Sequence, residues 1–240
     1  MSGMPGRRFW SRACVRAEPE GHHIDLDTRP LNTPAGAPVV LPTAALAQAI
    51  ADEWNALEGE IDPDRLPLTR FANSAIDRVL PARDAVIEAV AAYGASDLLC
   101  YRAEAPAELR ARQAAAWDPW LTWCARDLGA PLIAVFGLMP HPQPDASLAA
   151  LRASVAAMDA FELAALHELV ALSGSLVLAL AVARGALPAE RAWQLSRLDE
   201  TWQAEHWGLD AEAEAAATKK QADFRIAAMM LQNLSGIRNL

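Results

Sequence analysis

The spacing of apolar residues changes once along this 240-residue chain, and that change limits its fold more than any other feature. Over roughly the first forty residues, short apolar runs alternate with turn residues, which is typical of a small β-meander. Ile24 and Leu26 alternate with aspartates, so one face of that strand is predicted to be buried and the other wet. From Thr43 onward the apolar spacing is helical instead.

A helix is predicted directly after the meander. Pro42 ends the last strand, and Thr43 can cap a helix that extends to about Leu57. Leu46 and Trp54 recur at helical spacing on one face of this helix. Three strands alone are only marginally stable, so we expect this helix to cover them.

The proline-rich segment from Ile61 to Pro67 is predicted to be an extended connection, because a residue before proline avoids the helical region. We place a domain boundary there, with a small α+β domain over residues 1–66 and a helical domain over residues 67–240. The predicted fold class is α+β: a small β-meander plus helix, followed by an all-α helical bundle.

Composition supports a helical second part, since about a fifth of the residues are alanine and only 6% are aromatic. Trp54 and Trp117 lie on apolar stripes and are predicted to be core anchors. The run from Leu132 to Leu138 is too short to assign from its periodicity. Helices are predicted over residues 69–79, 81–94, 107–117, 119–128, 145–158, 159–184, 188–207 and 210–234.

The last two predicted helices each carry a recognisable face. In the first, the side chains Trp193, Ser196, Glu200 and Gln203 recur at spacings of three and four, so we expect them to share one face. In the second, a buried stripe is predicted at Ala213, Ala217, Phe224, Ala228 and Leu231.

Composition also excludes several classes of protein. With 53% hydrophobic residues the chain is not mainly disordered. A formal net charge of -9 argues against nonspecific electrostatic binding to nucleic acid. Three cysteines without a close pair suggest neither a disulfide framework nor a zinc knuckle. The longest apolar run, Leu169 to Ala183, is shorter than the roughly 20 residues that a bilayer requires. We therefore predict no nucleic-acid partner, no membrane insertion and a cytoplasmic location.

The sequence contains few features that are typical of catalytic or metal-binding sites. His22 and His23 lie close to two aspartates and could be ligands, but no second cluster at metal-ligand spacing supports them, and an exposed polar strand is the favoured interpretation. Ser173 and Ser175 flank Gly174 and could suggest a nucleophile, but small residues that let two helices approach are favoured. The sequence predicts no catalytic residue, metal or cofactor.

One local feature stands out, and it is acidic. Between Asp199 and Glu214 there are six carboxylates and no lysine or arginine, interleaved with tryptophans. A solvated helix face would explain it, and so would an acid–base pair, although neighbouring helical residues point about 100° apart. We favour a protein-binding surface, in which aromatic anchors sit within a polar rim. Its predicted contact residues are Asp199, Glu200, Gln203, Glu205 and Trp207.

A series of short segments carries a pattern that extends from about Arg8 to the end of the last predicted helix. Each is weak alone, and their order and spacing together are specific. They are Leu26–Leu31 with Thr33–Pro34, Leu41–Thr43, Ala51–Trp54, Ile61–Pro63, Pro67–Arg70, Asn73–Asp77, Asp97–Arg102, Gln113 with Trp117–Pro119, Ser173–Ser175 with Leu178–Leu180, and Leu198–Glu200 with Trp202–Gln203, Glu205 and Trp207–Gly208.

In these segments the chain resembles the assembly chaperones of the F-type ATP synthase catalytic sector, which bind the newly made α subunit before it joins the hexamer. Thr28 departs from that pattern, because a glycine is more usual there, and Asn55–Leu57 lacks a frequent glutamine. The resemblance implies a small α+β domain followed by a helical domain, and a functionally important acidic residue that corresponds to Asp199 or Glu200.

The function expected from this resemblance is that of a chaperone that shields the subunit interface of the unassembled α subunit and hands it on for hexamer assembly. No catalysis and no cofactor are expected, and a monomer would leave the binding face free. The implied location is the bacterial cytoplasm, or the mitochondrial matrix in a eukaryote. The alternatives are a small-molecule hydrolase, with a cleft that gathers His167, Asp97 and Ser175 in the helical domain, and a permanent structural subunit.

Overall fold

The computed structural model describes residues 6–137 and 139–235, and these form two compact units. The first unit combines residues 6–83 with residues 160–165 and 229–235, and the remaining described residues form the second. The predicted α+β class is confirmed, since a small sheet near the N-terminus is followed by helices. The domain boundary predicted between residues 66 and 67 stays a prediction.

The sheet of the first unit is built around one central hairpin. Strand β1 (Ala13–Glu18) pairs antiparallel with β2 (Gly21–Leu26). One end of β2 also pairs with β3 (Arg29–Pro30), and its other end pairs with β4 (Val40–Leu41). Ile24 and Leu26 are buried while Asp25 between them is only half-buried, as the alternation predicts.

Helix α1 (Ala44–Asn55) covers this sheet as predicted. The Thr43 hydroxyl accepts a hydrogen bond from the N–H of Leu46, which satisfies one of the free donors at the start of the helix. The face of α1 that carries Leu46 and Trp54 is buried, and the Trp54 ring lies 5.0 Å from that of Trp10.

The connection after α1 is only partly extended, because residues Pro63–Arg65 form a short 3₁₀ turn capped by the Asp62 side chain. Helix α2 (Pro67–Ser74) follows and continues through one π-helical turn (Ala75–Val79) and a 3₁₀ turn (Leu80–Ala82). The Glu53 carboxylate of α1 fixes the start of α2, since it accepts hydrogen bonds from Leu68 and Thr69.

The elements of the second unit are mainly helical, with short 3₁₀ turns at Ala92–Ser96 and Leu98–Cys100. A two-residue parallel ladder joins β5 (Tyr101–Arg102) to β6 (Val135–Phe136), which assigns part of the ambiguous segment to a strand. The helices, some of which contribute residues to both units, are α3 (Arg83–Ala91), α4 (Ala107–Asp127), α5 (Asp145–Ala156), α6 (Ala160–Ser173), α7 (Leu176–Ala183), α8 (Ala189–Ser196), α9 (Leu198–Trp207) and α10 (Ala211–Ser235).

Helix α4 is continuous through Pro119, so the predicted break at that residue is wrong. A proline inside a helix removes one backbone hydrogen bond, but side chains on both sides of Pro119 are anchored in the core. Trp117 is fully buried, and its indole N–H donates to the carbonyl oxygen of Leu195 over 3.0 Å. Cys124, five residues beyond the proline, is also fully buried.

The predicted helix over residues 159–184 is instead two helices, α6 and α7, which Gly174 separates. Gly174 has φ +70°, a left-handed conformation that ends α6, and its carbonyl oxygen accepts a hydrogen bond from Leu98. The Ser175 hydroxyl then caps α7 at the N–H of Leu178. The Ser–Gly–Ser segment therefore ends one helix and begins the next. A Cβ atom added at Gly174 would have only the Cβ atom of Leu98 within 4 Å, at 3.9 Å, so the predicted close approach of two helices at this glycine is wrong.

Arg197 separates α8 from α9, so the face predicted across residues 188–207 does not form. Trp193 and Ser196 of α8 are buried, whereas Glu200 and Gln203 of α9 are exposed. Because the helix is interrupted, the spacing of three and four residues no longer places these side chains in one row.

Only the second half of α10 is packed. Phe224, Ala228 and Leu231 are buried as predicted, but Ala213 is exposed and Ala217 is only half-buried, which corrects the N-terminal part of the predicted stripe. Among residues 6–137 and 139–235, none of the helices has the length and apolar content needed to cross a lipid bilayer.

Candidate functional site

The predicted contact residues all belong to α9, a helix that lies against α4 in the second unit. We call them the α9 surface. Four of its members, Glu200, Gln203, Glu205 and Trp207, are exposed, whereas Asp199 is half-buried. Arg197 has a non-helical backbone, with φ -108° and ψ 17°, so the side chains of α9 do not continue the buried face of α8.

Asp199 is directed into the unit. Its carboxylate accepts a hydrogen bond of 2.8 Å from the side-chain amide of Gln113 on α4. Gln113 is almost completely buried, and its own amide oxygen accepts a hydrogen bond from the N–H of Ala103. Asp199 therefore connects α9 to α4 and, through Gln113, to the segment after β5.

Glu200 faces outward and pairs with Arg197 one turn earlier, at 2.5 Å between the guanidinium and carboxylate atoms. Both side chains are substantially exposed, so this pair contributes little to stability. The structure thus separates the two adjacent acids: Asp199 is bonded within the fold, and Glu200 lies at the surface.

Glu205 is held by a two-pronged ion pair with Arg112 of α4, with distances of 2.5 and 2.9 Å between nitrogen and oxygen. This hydrogen bonding lowers the pKa of Glu205. The Arg112 guanidinium also lies over the ring of Trp202, which stacks on His206 at 4.1 Å. These contacts fix the middle of α9 against α4.

Trp207 is the one aromatic member of the α9 surface, and 78% of its area is accessible. It ends α9, and the chain turns at Gly208, where φ is +92°. Leu209 follows and is 71% exposed, so two large apolar side chains face water beside a group of acids. Neither Leu209 nor the supporting Arg112 is among the predicted site residues, although Gln113 is part of the segments that carry the family pattern.

The residues proposed for a hydrolase are only partly brought together. The Ser175 hydroxyl donates to the Asp97 carboxylate over 2.8 Å, but both residues are completely buried, whereas His167 is exposed. Asp97 also accepts hydrogen bonds from the N–H groups of Val177 and Leu99. Burial raises the pKa of Asp97 to about 6 despite these donors. Asp97 and Ser175 therefore hold the start of α7 in place.

The histidine pair of the second strand does not act as a unit, because His22 and His23 are neighbours on β2 and point to opposite faces. His23 lies near two glutamates of the hairpin, with its Nε2 atom 3.4 Å from Glu20 and 3.7 Å from Glu18. These three side chains could hold a cation, but Arg16 already forms an ion pair with Glu18.

Comparison with known proteins gives concordant results. The family model described as ATP12 chaperone protein matches residues 7–125. The mitochondrial protein atp12 of Schizosaccharomyces pombe is 26% identical over 84% of this chain and 74% of its own length.

Solved structures extend the similarity to almost the whole chain. The crystal structure of Atp12 from Paracoccus denitrificans is 50% identical and has a TM-score of 0.93, with 95% of this chain and 98% of that chain covered. A structure from Agrobacterium tumefaciens is 42% identical with a TM-score of 0.91, with 95% of this chain and 86% of that chain covered. This chain belongs to the ATP12 family of ATP synthase assembly chaperones.

Proposed function

We propose that this chain binds the unassembled α subunit of the F-type ATP synthase catalytic sector, covers the surface meant for neighbouring subunits and hands the subunit on for hexamer assembly. Family membership supports the role in assembly, and the sequence pattern discussed above supports the α subunit as the client. A subunit without its neighbours exposes interface area that promotes aggregation, and a chaperone that covers this area keeps the subunit available for assembly.

The observation that carries the proposal is the exposure of Trp207 at the end of a helix that is otherwise fixed. Tryptophan is one of the residue types that contribute most to binding energy at interfaces. Glu205 and Asp199 tie α9 to Arg112 and Gln113, so the surface needs little ordering when a partner arrives. A fixed helix that presents an exposed indole is suited to docking another protein.

The members of the α9 surface have two different roles in this proposal. Glu200, Gln203 and Trp207 contact the client, and Asp199 and Glu205 position the helix that carries them. An interface of one aromatic anchor and several polar side chains can be released, which a chaperone requires. The chaperone acts as a monomer, in the bacterial cytoplasm or, in a eukaryote, in the mitochondrial matrix.

Co-expression with the α subunit of the same host tests the proposal. We expect soluble α subunit only when this chain is present. Trp207→Ala should capture α subunit about 30-fold more weakly, as expected for a tryptophan that becomes buried in the complex. Glu200→Lys should also weaken capture. Helix content and melting temperature should stay close to the wild-type values in both variants, because both side chains are exposed.

Glu58→Lys is the matched control, since Glu58 is exposed and lies in the first unit. This substitution changes the net charge by the same amount as Glu200→Lys. Its capture of α subunit should equal that of the wild type. Equal amounts of soluble α subunit with and without this chain would refute the proposed function. Unfolding of Glu200→Lys would instead show that Glu200 is structural.

A further inference from the structure

The acids of the segment from Asp199 to Glu214 fall into two groups with different surroundings. Those on α9 are already engaged: Asp199 by Gln113, Glu200 by Arg197 and Glu205 by Arg112. Within residues 6–137 and 139–235, the acids after α9, namely Asp210, Glu212 and Glu214, take part in no ion pair. The exposed carboxylates of this segment that pair with no cation therefore lie beyond α9.

This charge surrounds exposed apolar side chains. Trp207 and Leu209 are 78% and 71% exposed, and they immediately precede Asp210, which caps α10. The first ten residues of α10 are exposed except for the half-buried Ala217, so this part of the helix has no packed face. We call Trp207, Leu209, Asp210, Glu212 and Glu214 the α9–α10 elbow.

We propose that the α9–α10 elbow is a second contact with the client, and that it binds a segment of the α subunit in which lysine or arginine stands beside an apolar side chain. This inference rests on the proposed function. Leu209 and Trp207 provide apolar anchors, and the three unpaired acids form a negative rim that attracts a basic segment. The elbow is continuous with the α9 surface, because Trp207 belongs to both.

Charge also decides between the client and a second copy of this chain as the occupant. The most common symmetric dimer brings the same patch of both copies together. At the elbow such a dimer would oppose six unpaired carboxylates, three from each copy, and like charges in an interface oppose association. A basic segment of the client is the occupant that complements this surface.

Acids in the first turn also favour a helix through its dipole, and the test must separate that structural role from binding. The variants are the double charge reversal Glu212→Lys with Glu214→Lys, and Leu209→Ser, each in the full chain co-expressed with the α subunit. We expect capture of α subunit to fall about tenfold in the double variant. Wild-type capture should weaken as NaCl rises from about 50 to about 500 mM, and the double variant should lose most of this dependence.

The matched control is Glu58→Lys with Glu60→Lys, two exposed glutamates at the same spacing in the first unit. It should capture α subunit like the wild type. If the double variant and Leu209→Ser both captured α subunit as well as the wild type does, the elbow proposal would be overturned while the proposed function stands. The elbow proposal would also be overturned if only the double variant lost capture of α subunit and its melting temperature fell in parallel, because the loss would then reflect unfolding. Failure of the wild-type chain to capture any α subunit would instead refute the proposed function.

Discussion

Many residues of the family pattern bond to other parts of the same chain. Glu53 accepts the N–H groups of Leu68 and Thr69, so two segments of the pattern that are separated in sequence form one contact. Trp54 and Trp117 are buried, which confirms their predicted role as core anchors. At this scale, the pattern identifies the family mainly through residues that hold the fold together, and only part of it lies on the α9 surface.

Asp97 is the buried acid whose titration should affect stability. In the unfolded chain its pKa is near 3.8, and in the fold burial raises it to about 6. Between these pH values the folded state binds more protons than the unfolded state, so the contribution of Asp97 to the free energy of unfolding falls as pH rises from about 4 to about 6 and levels off about one pH unit higher. The change is on the order of 2 kcal/mol.

Urea unfolding of the wild type and of Asp97→Asn checks this prediction over the same pH range. The free energy of unfolding of the wild type minus that of the variant should fall between pH values of about 4 and about 6, because only the wild type titrates at this position. A difference that is constant with pH would show that Asp97 keeps an ordinary pKa in the fold.

At the scale of elements, the helix interruptions decide what the surface looks like. The interruption at Arg197 turns Glu200 and Gln203 outward, away from the buried row of α8. The turn at Gly208 separates α9 from α10 and leaves Leu209 exposed. A continuous helix over this region would have placed its acids in a different arrangement.

The interruption at Gly174 can be tested directly. Gly174→Ala should lower the free energy of unfolding by about 1–2 kcal/mol, because alanine at φ +70° brings its Cβ atom too close to the following carbonyl oxygen. Gly174→Asn should cost less, since asparagine tolerates the left-handed region. Thermal unfolding followed by circular dichroism measures both variants, and an unchanged melting temperature for Gly174→Ala would contradict the prediction.

At the scale of the whole molecule, the net charge bears on self-association. The chain carries a formal net charge of -9, and the unpaired acids at the elbow contribute to it. We expect the purified chain to be a monomer, because Trp207 and Leu209, two of its highly exposed apolar side chains, lie among like charges that oppose self-association.

Sedimentation equilibrium at low and high NaCl measures the oligomeric state. We expect the mass of a single chain, 25.8 kDa, at low salt. High salt screens the repulsion between acids, so any self-association should increase with NaCl and disappear in Leu209→Ser. A dimer that is stable at low salt would contradict this prediction and would show that the acids at the elbow do not prevent self-association.

The sequence by itself determined the α+β class, the sheet with its covering helix and the Thr43 cap, because these depend on residues within a few positions of each other. It also located the acidic segment. Only the tertiary structure decided which acids are free, since the Arg112 that holds Glu205 is 93 positions away in sequence. The same holds for Pro119, which stays within α4 because Trp117 is anchored to Leu195 of α8. Local periodicity carries no information on such distant partners, and they determine which side chains this chaperone can offer to its client.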